Sequence, residues 1–232
     1  LIKNQTKKDY AILNVSNFYI KEQIKVQNFL PKIIKVSKEV NSLFLKKINN
    51  PYFMTEGNKE NLLFVIEIAK IFKIKKRTLL KVLNNFHGLQ YRQQIIFKSK
   101  NLTIINDSKA TSFSSSVSIL KSMSNVYWIV GGLAKQGDKF LMSKNNKKFF
   151  KAYIFGKNKS FFVSKLKKLM RYESFLDLNS LIKKLSLVIA DDKKIIHKTI
   201  LFSPSAASFD NFKNFEERGE YFNQLIKKYI NA

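Results

Sequence analysis

The stretch Leu102-Thr103-Ile104-Ile105-Asn106-Asp107-Ser108-Lys109-Ala110-Thr111 decides the fold. Leu102 to Ile105 is a short apolar run of the kind that forms a buried strand. A polar loop follows, and Ser114 to Met123 then reads as a helix. Strand, short loop and helix in that order make the first half of a βαβ unit. Working outward, the pattern repeats. Val126 to Val130 reads as a buried strand ending in Gly131-Gly132, and Ala152 to Phe155 as another ending at Gly156. Leu178 to Ile189 is helical, Lys198 to Phe202 is a strand, and a last amphipathic helix turns Phe222, Leu225, Ile226 and Tyr229 inward. This alternation predicts an open, mostly parallel α/β sheet of Rossmann-like type, in which ligands sit at the carboxyl ends of the strands.

Upstream the pattern differs. Tyr10 to Val15, Lys32 to Val36 and Ser42 to Leu45 read as short strands. From Lys59 to Phe86 the period becomes helical. Leu62, Val65, Ile66, Ala69 and Phe72 share one face, and Leu79, Val82, Leu83 and Phe86 repeat the spacing after a basic break at Lys73 to Arg77. His87-Gly88 then closes the helix pair, with Gly88 as the expected left-handed cap. The change of pattern separates three regions: residues 1 to about 56, the helical Lys59 to Phe86, and the strand-helix alternation that follows.

The absence of cysteine excludes disulfides, thiolate metal sites and thiol nucleophiles. The longest apolar stretches, such as Leu62 to Ile66 and Tyr127 to Ala134, fall well short of the roughly 20 residues of a membrane helix. The start, Leu1-Ile2-Lys3-Asn4, has neither a signal-peptide core nor an initiator methionine, and reads as an interior position of a longer protein. Lys+Arg number 43 against 16 Asp+Glu. Such a balance suits a nucleic-acid binder. Lysines, however, are scattered through every segment without Arg preference, a basic tail or a nucleic-acid-reading signature. The expectation is therefore no nucleic-acid partner and no membrane.

Three clusters carry chemistry, each at the end of an expected strand. Asn106 to Thr111, with Ser114 to Ser116 behind it, places a carboxylate, an ammonium and hydroxyls before a helix N-terminus. That set suits an anionic ligand, and equally suits an ordinary helix cap. Gly131-Gly132-Leu133-Ala134-Lys135-Gln136-Gly137-Asp138 puts Lys135 at a strand end, without the spacing of a phosphate loop. The third cluster runs Ser203-Pro204-Ser205-Ala206-Ala207-Ser208-Phe209-Asp210-Asn211-Phe212-Lys213-Asn214-Phe215-Glu216-Glu217-Arg218-Gly219, with Phe209 and Phe212 expected in a hydrophobic seam. Asp191-Asp192 reads as a solvated turn and Trp128 as core. His87 and His197 lack partners at metal spacing, so no metal site is expected from these residues.

In order and separation these motifs resemble the Mur ligase family, and within it the D-glutamate-adding branch, the UDP-N-acetylmuramoyl-L-alanine:D-glutamate ligases. Lys3-Asn4-Gln5 with Asp9 to Asn14 resembles the entry to that family's middle domain. Asn58-x-x-Asn61 resembles its His-Asn-x-x-Asn element, and Gly88-Leu89-Gln90-Tyr91-Arg92 its Gly-Leu-x-His-Arg. The resemblance covers essentially the whole chain. It implies that 1–90 is the C-terminal part of a central ATP-binding domain and 91–232 the C-terminal domain of a cytoplasmic, monomeric ligase. It also implies an ATP-dependent reaction with Mg2+, in which UDP-N-acetylmuramoyl-L-alanine is activated as an acyl phosphate and attacked by D-glutamate.

Position by position, the resemblance assigns Arg92 and Asp107 to the nucleotide ribose, Asn58 and Asn61 to the adenine, and Lys109 to the phosphates as the catalytic lysine. It assigns Thr111, Lys135, Ser208 and Phe215 to the incoming D-glutamate. Gly57, Tyr91 and Gln94 depart from the family's usual histidine, histidine and acidic residue, and Gln136 interrupts the Lys-Gly of the second motif. No G-x-x-x-x-G-K-[ST] run occurs in these residues. The phosphate loop, the UDP-sugar-binding domain and the magnesium ligands are therefore expected upstream of Leu1. A fragment of this kind is expected to be inactive alone. The alternatives are a stand-alone or degenerate amino-acid-binding domain and, ranked below it, a basic nucleic-acid-binding module.

Overall fold

The computed structural model describes residues 2–26, 29–37, 42–54, 56–142, 150–192 and 196–230. It separates into two compact units, Leu1–Phe86 and His87–Ala232.

The first unit contains β1 (Tyr10–Asn14), α1 (Phe18–Val26), β2 (Lys32–Val36), α2 (Ser42–Leu45), α3 (Glu56–Ile71) and α4 (Lys76–Asn84). The strands β1 and β2 pair in parallel, Tyr10 opposite Lys32 through Asn14 opposite Val36. Ile48, Phe53, Leu62, Ile66 and Leu83 form its buried cluster, with Phe86 packed against them. Three expectations need correction. Ser42–Leu45 is a short helix, in keeping with the good helix propensity of leucine. The buried stripe of α3 is Asn58, Leu62, Leu63, Ile66 and Ala69, whereas Val65, Phe72 and, on α4, Val82 face outward. Gly88 has a positive φ of 79° but caps no helix, because α4 ends at Asn84 with Asn85 as its cap. The reason is Asn50, whose amide donates to the carbonyls of Leu83 at 2.8 Å and Phe86 at 2.6 Å, doing from a side chain what a glycine turn would do.

The second unit is built on a six-stranded sheet. In chain order its elements are β3 (Gln94–Lys98), β4 (Leu102–Asn106), α5 (Phe113–Leu120), β5 (Val126–Gly131), β6 (Phe150–Phe155), α6 (Lys159–Leu166), β7 (Arg171–Ser174), α7 (Leu178–Asp191), β8 (Lys198–Phe202) and α8 (Phe215–Ile230). The strand order is β3-β4-β8-β5-β6-β7, all parallel except the antiparallel edge strand β3. The mostly parallel α/β sheet read from the sequence is present. The reading passed over α1, β3, α6 and β7, which are short or carry few apolar residues.

Alternation along each strand supplies two cores, because successive side chains point to opposite faces. Ile104, Ile129, Tyr153, Phe155, Ile200 and Phe202 pack against α7 and α8. Ile105, Trp128, Val130, Ile154 and Leu201 pack against α5 and α6. Trp128 is core, as expected, and its indole N–H donates to the Ser203 carbonyl at 2.8 Å. Phe202 stacks on Phe222 with ring centroids 4.3 Å apart, fixing α8 to the sheet. Asp192 is no solvated turn. It pairs with Lys198 at 2.9 Å and accepts from the Tyr127 hydroxyl at 3.2 Å, and its charge helps burial push that phenol up to about 12.

The chain leaves β4 for α5 on one face and leaves β8 for α8 on the other. Neighbouring strands whose connections part in this way create a crevice at their carboxyl ends. The end of β5 lies against that crevice with no room for side chains. A Cβ on Gly131, at φ 152°, would come within 2.2 Å of the Phe155 carbonyl oxygen. Gly131→Ala is expected to lower the melting temperature by at least about 5 °C; a differential scanning calorimetry trace matching wild type would refute this.

Candidate functional site

The crevice is assembled from the loops after β4, β5 and β8. Asn106, at the last position of β4, is buried and donates to the carbonyl of Gly219 and to the side chain of Asn223, both at 2.8 Å. Its own oxygen accepts the Ser108 backbone N–H at 3.1 Å, shaping the loop. Ser108 donates its hydroxyl to the Phe215 carbonyl at 2.8 Å. The loop after β4 is thereby fastened to the first turns of α8.

Arg218 completes the fastening. It is fully buried, with Nε donating to Ser108 Oγ at 3.1 Å and Nη2 donating to the Ser108 carbonyl at 2.7 Å. Burial pulls its pKa down to about 10, opposed by the charge of Asp210, so the guanidinium remains charged at neutral pH. Burial in turn pushes the Asp210 carboxyl up, opposed by backbone donors and Arg218. Arg218 Nη1 and Asp210 Oδ1 are buried without a hydrogen-bond partner among the described residues. Nη1 lies where a Cβ on Gly132 would come to 3.0 Å, so the glycine that follows β5 admits the guanidinium.

Asp107 is 6% exposed. Its Oδ1 accepts the Gln93 backbone N–H at 3.1 Å and its Oδ2 accepts the Ser203 hydroxyl at 2.9 Å. Burial raises its pKa to about 7, against the lowering effects of Ser203, Gln93 and the positive charge of Arg92. Lys109 sits with its ammonium 3.8 Å from the centre of the Phe215 ring, a contact worth about 0.5–1 kcal/mol at a partly exposed site. Hydrogen bonds to a charged group, at about 1.5–3 kcal/mol each, make Arg218 the stronger tie between the same two segments.

The loops after β5 and β8 are joined by a reciprocal backbone pair: Leu133 N–H donates to the Ala207 carbonyl at 2.9 Å, and Ala207 N–H donates to the Leu133 carbonyl at 3.1 Å. The pair sets Lys135, exposed two residues beyond Leu133, on the loop joined to the one carrying buried Ser208. Thr111 and Arg92 are also exposed.

Of the residues singled out from the sequence, Arg92, Asp107, Lys109, Thr111, Lys135 and Ser208 stand on these strand-end loops or on the turn before β3, and Phe215 opens α8. Asn58 and Asn61 belong to the first unit. There Asn58 is buried and donates to the Tyr52 carbonyl at 2.8 Å, while Asn61 is exposed.

Of the two readings left open for the N-terminus of α5, the ordinary cap describes it: Phe113 N–H donates to the Asp138 carboxylate at 2.7 Å and Ser115 N–H to Ser112 Oγ at 3.4 Å. One sequence expectation changes. Phe209 is exposed rather than part of a seam, and Phe212 alone finds a ring, Tyr221, at 5.6 Å. The reading also missed the tethering roles of Asn106, Ser108 and Arg218. An arginine among charged residues in the first turn of a helix looks like solvent-facing decoration, and only its neighbour Gly219 hinted at close packing.

Comparison with known proteins follows the same outline. No protein-family model matches the chain. The UDP-N-acetylmuramoylalanine–D-glutamate ligase of Rickettsia felis is 31% identical over 246 residues, which takes in 96% of this chain and 53% of that protein. The same-named enzyme of Francisella philomiragia is 31% identical over 223 residues, with 94% and 51% covered. The chain is a homologue of the Mur ligases. It matches the C-terminal part of the D-glutamate-adding members and spans about half the length of these curated relatives. Among solved structures, MurF from Acinetobacter baumannii superposes with a TM-score of 0.62 at 14% identity, over 96% of this chain and 52% of that one. A murein peptide ligase from Psychrobacter arcticus gives 0.51 at 11% identity, over 97% and 52%. Both share the fold.

The raised pKa of Asp107 has a thermodynamic consequence. The folded state binds this proton more tightly than the unfolded chain does. The stabilising contribution is therefore full below the unfolded value near 3.8 and is lost as pH rises to about 7. Asp107→Asn, which cannot ionise, is expected to raise the melting temperature at pH 8 by several degrees, and less at pH 5. Equal effects at the two pH values in thermal melts would contradict the assignment.

Proposed function

We propose that this chain contributes the ribose- and D-glutamate-facing side of an ATP-dependent ligase that adds D-glutamate to UDP-N-acetylmuramoyl-L-alanine in peptidoglycan precursor synthesis. The observation that carries the reading is the joining of the loops after β4, β5 and β8: Asp107 accepts from Ser203, Phe215 packs on Lys109, and the Leu133–Ala207 pair links the loops that carry Lys135 and Ser208. The similarity to D-glutamate-adding ligases supports the choice of substrate.

ATP, with Mg2+, supplies a phosphoryl group that activates the substrate carboxylate as an acyl phosphate; the amine of D-glutamate then forms the amide and releases phosphate. Asp107 fits a ribose. Each of its oxygens receives one protein donor and retains acceptor capacity for a hydroxyl. Arg92 stands beside it as an exposed cation. Lys109 is the cation of this loop assigned to the phosphates, its ammonium braced on Phe215. Lys135 and Thr111, both exposed, supply a cation and a hydroxyl for the carboxylates of D-glutamate, with Ser208 beneath. Asn58 and Asn61 are assigned to the adenine. Among the described residues no cluster of His, Asp or Glu could hold a metal ion. The part proposed for this chain is accordingly to position nucleotide and amino acid. The reading places the enzyme in the cytoplasm as a monomer, with no nucleic-acid or membrane partner. Among the described residues no helix is long and apolar enough to cross a membrane.

In the complete ligase, Lys135→Ala is expected to raise the KM for D-glutamate at least about tenfold, equivalent to the loss of one charge-assisted contact, while the KM for ATP stays within about twofold. Steady-state kinetics with each substrate varied in turn would test this. An unchanged D-glutamate KM removes Lys135 from the amino-acid site.

A further inference from the structure

Behind Asp107 lies a run of hydroxyls that the proposed reaction does not use. Ser205 Oγ donates to Ser116 Oγ at 2.6 Å, Ser116 Oγ lies 2.7 Å from Ser203 Oγ, and Ser203 Oγ donates to Asp107 Oδ2 at 2.9 Å. All three serines are buried, at 1% exposure or less. The run crosses three elements: α5 supplies Ser116, the loop after β8 supplies Ser203 and Ser205, and the loop after β4 supplies Asp107.

Proton counting fixes its direction. An ionised carboxylate accepts only, so the Ser203 hydrogen points to Asp107. Ser203 Oγ then accepts from Ser116 at 2.7 Å, the shorter of two contacts open to that hydroxyl; the Ser203 carbonyl lies 3.2 Å away and also receives the Trp128 indole N–H. Ser116 in turn accepts from Ser205. Three hydrogens serve three links and all point toward the carboxylate. Each donor in such a chain is polarised by the one behind it. Ser205 holds a left-handed backbone, φ 58°, that a non-glycine residue adopts at some cost. Its hydroxyl is the first link.

We propose that Ser205, Ser116 and Ser203 are positioning residues that together hold the Asp107 carboxylate in its acceptor form and tie its charge state to the loop that carries Ser208. Arg92 is the charged group acting on Asp107 from the turn before β3. On the same loop Lys109 is turned to Phe215, and from α8 Arg218 is engaged with Ser108. The role assigned to Asp107 rests on the ribose reading above; the relay itself does not.

The test is a carbon-13 NMR titration of the side-chain carboxylates of this chain, with Asp107 assigned through Asp107→Asn. Ser203→Ala is expected to raise the Asp107 midpoint by about one pH unit. Ser116→Ala and Ser205→Gly should raise it by successively smaller steps. Ser205→Gly also relieves the left-handed backbone, which offsets part of the stability lost with the buried hydrogen bond. Ser203→Thr, which keeps a hydroxyl, should restore the wild-type midpoint. A shift in Ser203→Ala alone would reduce the relay to a single bond and overturn the proposal, as would no shift in any variant. Calorimetric titration of the complete ligase, carrying each substitution in turn, with ADP across pH 5.5–8.5 separates the two readings. Affinity rising through the measured midpoint in each variant supports both. Graded midpoints in a protein that binds no ADP at any pH keep the relay and discard the ribose role.

Discussion

One buried charge organises the crevice. Arg218 has given up water entirely, a cost that only a dense set of partners offsets. It spends two of its donors on a single residue, Ser108, one through the hydroxyl and one through the carbonyl. A fork geometry of this kind fixes orientation as well as distance, which a lysine with its single nitrogen would not do. Asp210 supplies the counter-charge from the loop between β8 and α8. The guanidinium therefore ties the loop after β4 to the first turn of α8, and every residue proposed to touch ligand on those segments inherits its place from that tie.

The sheet explains why the tie is needed. β8 is the last strand in the chain, yet it inserts between β4 and β5. Its following loop must turn toward α8 on one face, while the loop after β4 turns toward α5 on the other. Left alone, loops that part in this way would open the crevice and admit water to the strand ends. Asn106, Ser108 and Arg218 close it on one side, and the Leu133–Ala207 backbone pair closes it on the other. The glycine that ends β5 and the one that follows it belong to the same economy of space. Gly131 makes room for the end of β6, and Gly132 for the guanidinium. Both let the protein approach itself.

The sheet was legible because its strands are short apolar runs ended by glycine or polar clusters, and the positions of the three clusters followed directly from strand ends. β3 and β7 were not legible. Gln94–Lys98 and Arg171–Ser174 are edge strands with charged or polar residues at intervals, and edge strands lose the continuous hydrophobic signal of central ones. Helix phase was less legible than helix existence. Val65, Phe72 and Val82 fit a helical period, but the face turned inward is chosen by tertiary packing. At the crevice, residue type revealed the exposed cations and the carboxylate. It did not reveal which hydroxyls face one another, since Ser116 and Ser203 are 87 positions apart and meet only when β4 and β8 pair.

The polar groups of the crevice fall into two sets with different work. The inner set comprises Asn106, Ser108, Arg218 and the three serines behind Asp107. Its hydrogen bonds are directed chiefly at the protein, and its members are buried. The outer set, Arg92, Thr111 and Lys135, is exposed and has side chains free to reorganise around a ligand. Asp107 is the member common to both, since it is fixed by inner donors and still keeps lone pairs for an outer one. A rigid inner lattice that holds a few outer groups at the correct separation is how a site reduces the ordering cost of binding. It follows that damage to the two sets should look different. On the function proposed above, loss of an inner residue should lower stability and weaken both proposed ligands together, because both loops move. Loss of an outer residue should leave the fold intact and weaken only the ligand proposed for it.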